Sequence, residues 1–342
     1  MTVTEDVLHR TDFLRGSRRS LGETGPYKEW HHFVVHNQGF RLIVNFSLTD
    51  RTSPQGTRTV PRVIVLVRHG DYSGTVENFD PKDCEVRTGR VAARLGPCSL
   101  ELVDGAYELV VEVPAIRLRA RLRLVPASTP FVVNNQPLAR GSRLSWLFVP
   151  RLEAHGHVWV GDTRVSLRAA PAYHDHNWGR FRWGDDFGWV WGSVLPECSS
   201  DPWTIVFMCM TDRFRRRATR QGLYVWHDRD PAAMWRDAAV TVAHDGLLRR
   251  PPALTLPTVM RVLRPGLASD LPAAVRIRGH QDGDQVQLRF EPDHYVRIVV
   301  PDEHDDLGVV VLNEVSGAVR AAGEIGGRAL DLEGSGVFEF LG

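Results

Sequence analysis

The chain has 342 residues, 43% of them hydrophobic and 24% charged, enough for two domains with substantial cores. Its 42 Lys and Arg against 41 Asp and Glu leave a formal charge of +1, so no bulk field favours nucleic acid or an anionic membrane surface. The cysteines Cys84, Cys98, Cys198 and Cys209 form no CxxC pair and no regular framework, the usage of buried, reduced thiols in a cytoplasmic protein.

In chain order, residues 1–26 carry charges throughout, lack an apolar run of signal-peptide length, and read as a flexible N-terminal arm. Strand signals then dominate. Residues 40–46, 62–67, 107–113 and 116–124 are short, β-rich and bounded by Gly, Pro, Asp or Asn. The last of these alternates arginine with apolar residues, as a half-exposed antiparallel strand does. Short helices are expected at residues 231–237, with Asp230 as N-cap and Pro231 in the first turn, and within residues 254–267. Nothing resembles a long amphipathic helix or the roughly 20 apolar residues of a membrane span.

The second half repeats the order of the first. Trp30, residues 40–46 and 62–67, and then Asp71 find an echo in Trp189 and Trp191, residues 203–208 and 223–226, and then Asp228. Residues 107–113 and 116–124 answer to 285–290 and 295–300. Residues 161–179 resemble 326–342, which places Asp175 near Glu339. The expected fold is all-β: two antiparallel β-barrel or sandwich domains in tandem, residues 27–184 and 185–342.

Tyr173-His174-Asp175-His176-Asn177-Trp178-Gly179 concentrates polar and aromatic chemistry in one predicted strand. Alternation puts Tyr173, Asp175 and Asn177 on one face and His174, His176 and Trp178 on the other. A buried carboxyl flanked by a phenol and an amide is either a structural polar network or an acid tuned for proton transfer. Trp178, Trp183, Trp189, Trp191 and Trp203 crowd the inferred junction. Such residues fill cores, and they also form aromatic walls for apolar polyenes. Asp175 and Tyr173 are the candidate catalytic residues; Asn177, Trp178, Trp189, Trp191, Trp30, His32 and Trp146 are the candidate substrate-binding residues.

His174-x-His176 can present two imidazoles to one metal, with His31, His32 and His36 elsewhere. No third and fourth ligand stands at a recognisable spacing, so no metal is expected. No Gly-rich phosphate loop or GxSxG elbow occurs, so neither a nucleotide cofactor nor a serine hydrolase is expected. Arg213-Phe214-Arg215-Arg216-Arg217 reads as a solvated hairpin loop.

The strand region from Trp30 to Phe46, the Tyr173 to Gly179 motif and Trp189-Val190-Trp191-Gly192 resemble the carotenoid 1,2-hydratase (hydroxyneurosporene synthase) group of tandem lipocalin-like proteins. Lipocalin-like Diels-Alderase cyclases share that design. The resemblance implies two lipocalin-like domains, and the hydratases' alkene-protonating aspartate and preceding tyrosine fall on Asp175 and Tyr173. Where the hydratases have an upstream histidine and tryptophan, this chain reads Ser145-Trp146-Leu147-Phe148. The expected function is a cofactor-independent biosynthetic cyclase or hydratase acting on an apolar unsaturated substrate of terpenoid, carotenoid or polyketide type. Its partner is then a small molecule, with no nucleic acid and no transmembrane segment, and with transient membrane contact during substrate uptake. A pericyclase working by shape and hydrogen bonds, and a carrier of lipophilic ligands without chemistry, are the alternatives.

Overall fold

A computed structural model describes residues 3–16, 25–53, 56–138, 141–263, 270–305 and 307–342. The chain divides into two compact units, Met1–Arg182 and Trp183–Gly342. The division falls just ahead of the 184/185 boundary expected from the repeat.

In the first unit, β1 (Tyr27–Asn37), β2 (Phe40–Ser53), β3 (Gly56–His69) and β4 (Asp71–Asn78) pair antiparallel in sequence order. A second meander runs through β5 (Cys84–Val86), β6 (Ala92–Leu95), β7 (Cys98–Val103), β8 (Ala106–Val113) and β9 (Leu118–Pro126). β10 (Phe131–Pro137) pairs with β11 (Arg143–Val160), and β12 (Thr163–Arg180) sets the last strand against β1. Period-two patterning determines which side is core. In β9, Leu118, Ala120, Leu122 and Leu124 are buried while Arg119 and Arg121 are exposed. Gly156 lies at a register shift in β11 with φ +126°, and a Cβ there would come within 2.1 Å of the Arg121 carbonyl oxygen. The close approach of β9 at this bulge therefore requires glycine.

Residues 1–26 are not a free arm where the structure describes them. They contain helix α1 (Val3–Thr11), with Glu5 and Asp6 in its first turn and His9 and Arg10 in its last, matching the helix dipole. Leu8 and Leu14 join the β core and Asp12 is fully buried. Sequence charge suggested solvent, but the apolar residues are spaced to face the barrel and Asp12 finds polar partners inside it.

The second unit contains β13 (Gly188–Pro196), β14 (Trp203–Thr211), β15 (Ala218–His227), β16 (Asp230–Arg236) and β17 (Val240–Asp245). It continues with β18 (Leu254–Leu256), α2 (Met260–Leu263), β19 (Ala274–Gln281), β20 (Asp284–Pro301), β21 (Val309–Ile325) and β22 (Arg328–Leu341). The sheet order β16-β15-β14-β13-β22-β21-β20-β19-β17 again sets the first strand against the last, and β18 adds parallel to β20. This is the topology of the first unit repeated, with β13, β14 and β15 in the places of β1, β2 and β3.

Two local expectations change. Residues 231–236 belong to the edge strand β16 and not to a helix, and Asp237 opens a short 3-10 turn: Asp228, at φ +53°, turns the chain back along β15, and Trp235 then inserts into the core. An edge position tolerates Pro231, whose missing N–H takes nothing from a ladder. Residues 285–290 and 295–300 are halves of one strand, β20, broken by a register shift between Pro292 and His294. The counterpart of the β8-β9 hairpin is therefore β19-β20. Of the helical stretch expected within 254–267, α2 is described and residues 264–267 lie outside the described residues. No helix is long and apolar enough to cross a membrane among the described residues.

Candidate active site

Strand pairing builds the candidate site around Asp175. On β12, His174 and His176 point to the core side with Ala170 and Ala172, so Tyr173, Asp175 and Asn177 occupy the opposite face. The register sets His32 of β1 and Phe148 of β11 on either side of Asp175, and Trp30 and Trp146 on either side of Asn177. Val34 lies beside Tyr173. One strand further out, Asn45 borders His32 and Phe131 borders Phe148, with the two phenyl rings 5.4 Å apart. Asp175, Tyr173, Asn177, His32 and Trp146 are all buried, and Trp30 is half-buried. Asn177 Nδ2 donates to Asp175 Oδ1 at 2.5 Å. Burial, and then the charge of His174, push the His32 imidazole down to about 3, so it stands neutral beside Asp175.

Six of the nine residues singled out from sequence therefore share this face. Trp178 does not: alternation turns it toward the core side, where the Arg15 guanidinium lies 3.7 Å over its ring and His176 packs at 5.0 Å. Trp189 and Trp191 belong to the second unit. Asn45, Phe131 and Phe148 escaped sequence reasoning because cross-strand register, and no local motif, brings them to Asp175.

The core side of the same strands holds a second, dry polar cluster. Asp12 arrives from the end of α1: its Oδ2 lies 3.0 Å from His174 Nε2 and accepts from the Tyr107 hydroxyl, and its Oδ1 lies 3.1 Å from His176 Nδ1. His176 Nε2 donates to Glu29 Oε1 at 3.0 Å, and Glu29 also accepts the backbone N–H groups of Arg15 and Gly16. Burial alone would raise the Asp12 pKa. Attraction to His174 and His31 and hydrogen bonds from His174 and His176 outweigh it and hold the carboxyl well below the usual range. For His176, burial opposes the charged form, but hydrogen bonds to Asp12 and Glu29 win and the pKa rises. His31 is driven down by burial and by His176. Asp12, His31 and His174 bring ligand atoms within 4.8 Å of one another, a grouping that spacing along the chain could not reveal.

The depressed histidines set an expected acid response. Burial holds His32 at about 3 and, with Arg41 and Arg68, His36 at about 4, against 6.5 for the free imidazole. Such groups take up protons first in the unfolded chain, so their contribution is full above pH 6.5 and is lost as pH falls toward the folded values. At about 1.4 kcal/mol per unit, each accounts for a few kcal/mol over that window. The raised His176 has the opposite sign, stabilising below 6.5 and fading as pH rises, and offsets part of the loss. Asp12 keeps its contribution until pH falls below 3.8. Thermal unfolding should therefore show Tm falling steadily from pH 6.5 to 4, with a shallower slope in His32→Gln. A flat profile would mean these imidazoles are charged in the folded protein.

In the second unit, Glu339 on the last strand β22 is paired to Trp191 on one side and Glu314 on the other. Trp189 Nε1 donates to Glu339 Oε2 at 3.0 Å. Burial pushes the Glu339 carboxyl up, against hydrogen bonds from Glu314 and Trp189. Trp189 packs with Trp183 and Phe187, whereas Trp203 is core. The five tryptophans near the junction thus serve different surroundings. Elsewhere on this unit a groove of about 730 Å³ is lined by Arg276, Arg278, Arg289 and Arg320 with Asp331 and Glu333. Ile277, Leu288, Ala321 and Ala322 line it as well, and ion pairs such as Arg276 with Asp245 (2.7 Å) and Arg320 with Glu333 (3.3 Å) run along it. Arg215, from the arginine-rich β14-β15 loop, pairs with Asp270.

Two antiparallel units, each pairing its last strand with its first, give a tandem lipocalin-like fold, as the sequence resemblance implied. Among solved structures, an AttH-type protein of Nitrosomonas europaea aligns with a TM-score of 0.60 at 13% identity, over 96% of this chain and 97% of its own. Kievitone hydratase of Nectria haematococca aligns at 0.56 and 11% identity, and CghA at 0.60 and 11%, each over 93% of this chain and 88% of its own. These likenesses are of fold. No family model matches the chain, and no curated protein matches it in sequence.

Proposed function

We propose that the chain is a cofactor-independent biosynthetic enzyme that protonates an alkene of an apolar, unsaturated small molecule and so hydrates or cyclises it. The observation that carries this reading is Asp175: a buried carboxyl with one oxygen held at 2.5 Å by the Asn177 amide, between a neutral imidazole and aromatic rings. Asn177 fixes the rotamer, and Oδ2 carries the transferable proton. The neutral His32 places no cation beside Asp175 to draw that proton off. As the Asp175 O–H bond breaks and a C–H bond forms, positive charge develops on the adjacent carbon. Trp30 and Trp146 stabilise that charge by roughly 0.5–2 kcal/mol per ring contact. Water then attacks and gives its excess proton to the Asp175 carboxylate, or a second alkene of the substrate attacks and the cation so formed gives up an adjacent C–H proton to that carboxylate, which restores the acid.

The hydratase and CghA among the structural neighbours support an enzyme of hydratase or cyclase kind. Against a carrier with an open calyx stands the first unit's interior, which is filled by core side chains, Leu8 and Leu14 and the Asp12 cluster. Turnover of terpenoid and polyketide polyenes in D₂O tests the reading. Proton transfer to carbon places one deuterium on the product skeleton, pericyclic closure places none, and a carrier returns the ligand unchanged. Product without deuterium would overturn the acid mechanism and favour the pericyclase.

A further inference from the structure

The core side of the first unit gathers ligand-bearing side chains that the chemistry at Asp175 does not use. Three imidazole nitrogens converge on one carboxylate: His174 Nε2 lies 3.0 Å from Asp12 Oδ2, His176 Nδ1 3.1 Å from Oδ1, and His31 Nδ1 3.7 Å from Oδ1. A tetrahedral ion with bonds of about 2.0–2.1 Å spaces its ligand atoms about 3.3 Å apart. One ligand atom each from Asp12, His31 and His174 lies within 4.8 Å of the others, so a bound ion would draw the three in from at most 4.8 Å to that spacing.

The hydrogen positions argue for a cation. His174 Nδ1 faces the backbone carbonyl of His32 at 3.0 Å, which can only accept, so Nδ1 carries the hydrogen. A neutral His174 therefore aims the Nε2 lone pair at a carboxylate oxygen. His176 stands between two carboxylates, Asp12 and Glu29, so a single ring hydrogen leaves a lone pair facing one of them. Protons alone satisfy the cluster when both imidazoles are cations, side by side in a core where neither is exposed. One divalent ion instead accepts the lone pairs of His174 and His31 and neutralises Asp12.

His31 is the decisive member. Neither of its ring nitrogens has a hydrogen-bond partner among the described residues, yet the ring is fully buried and stacks on His176 at 4.1 Å. An unsatisfied imidazole in that position is costly, and a metal bond to Nδ1 removes the cost. We infer that Asp12, His31 and His174 form a structural Zn²⁺ site, with His176 packed beside it, that fastens the segment after α1 to the first unit. Two imidazoles and a carboxylate suit zinc. The outer partner that orients a metal-bound histidine is already in place, the His32 carbonyl on His174.

The test uses the full chain, free of any polyhistidine tag and purified without added metal. Elemental analysis and titration with Zn²⁺ or Co²⁺ should give one equivalent per chain. The Co²⁺ form should show the visible absorption of tetrahedral coordination, and loading should raise Tm. His31→Phe breaks no hydrogen bond and keeps the stack, so it should fold; as a lost ligand it should weaken metal binding at least about 100-fold, the upper end of what outer-shell losses cost. The rise in Tm on loading should disappear with it. Substoichiometric uptake of both ions by the wild type overturns the inference, and so does a His31→Phe variant that binds as tightly as the wild type.

Discussion

Asp175→Asn is expected to lower turnover by about 10²- to 10⁴-fold or more, the factor that general acid catalysis supplies. Folding should be nearly unaffected, because the new carboxamide oxygen can accept the Asn177 Nδ2 bond that Asp175 Oδ1 accepts now. What the variant lacks is a transferable proton. Tyr173→Phe should cost less, since its ring, buried beside Val34, keeps its packing and no proton transfer depends on it. Steady-state kinetics alongside thermal melts separate the outcomes. A large fall in Tm would reassign Asp175 to a structural polar network, and an unchanged rate with an unchanged melt would remove it from the mechanism.

Asp12→Ala should produce the largest loss of stability. It leaves His174 Nε2, His176 Nδ1 and the Tyr107 hydroxyl without their partner inside the core, and breaking a buried charge pair from one side costs about 3–5 kcal/mol. For a chain of this size that corresponds to a Tm shift on the order of 10 °C. The half-buried Asp6, paired to Arg10 one turn along α1 at 2.9 Å, is the matched control: Asp6→Ala should change stability by less than about 1 kcal/mol. Equal effects for the two substitutions in denaturant unfolding would show that the Asp12 cluster contributes little.

Much of the fold was legible in the sequence because β alternation and repetition are local signals. The arginine alternation of β9 and the repeated strand order required no knowledge of long-range contacts. The same alternation separated Asp175 from His174 and His176 correctly. Applied consistently, it would also have moved Trp178 off the Asp175 face. Residues 231–237 misled because Asp-Pro before two alanines is a good helix start, and the pairing with β15 that makes residues 231–236 an edge strand is a tertiary fact.

The amino-acid sequence by itself determined the all-β class, the tandem repeat and the face on which Asp175, Tyr173 and Asn177 stand together, because side-chain direction along a strand follows from backbone geometry alone. The tertiary structure decided the neighbours. Register across β1, β12 and β11 selected His32, Phe148, Trp30 and Trp146 as the surroundings of Asp175. The docking of α1 carried Asp12 to His174, 162 positions away. Burial then shifted the ionisation of both sets, since the cost of a charge depends on which groups replace water around it, and no spacing along the chain records that.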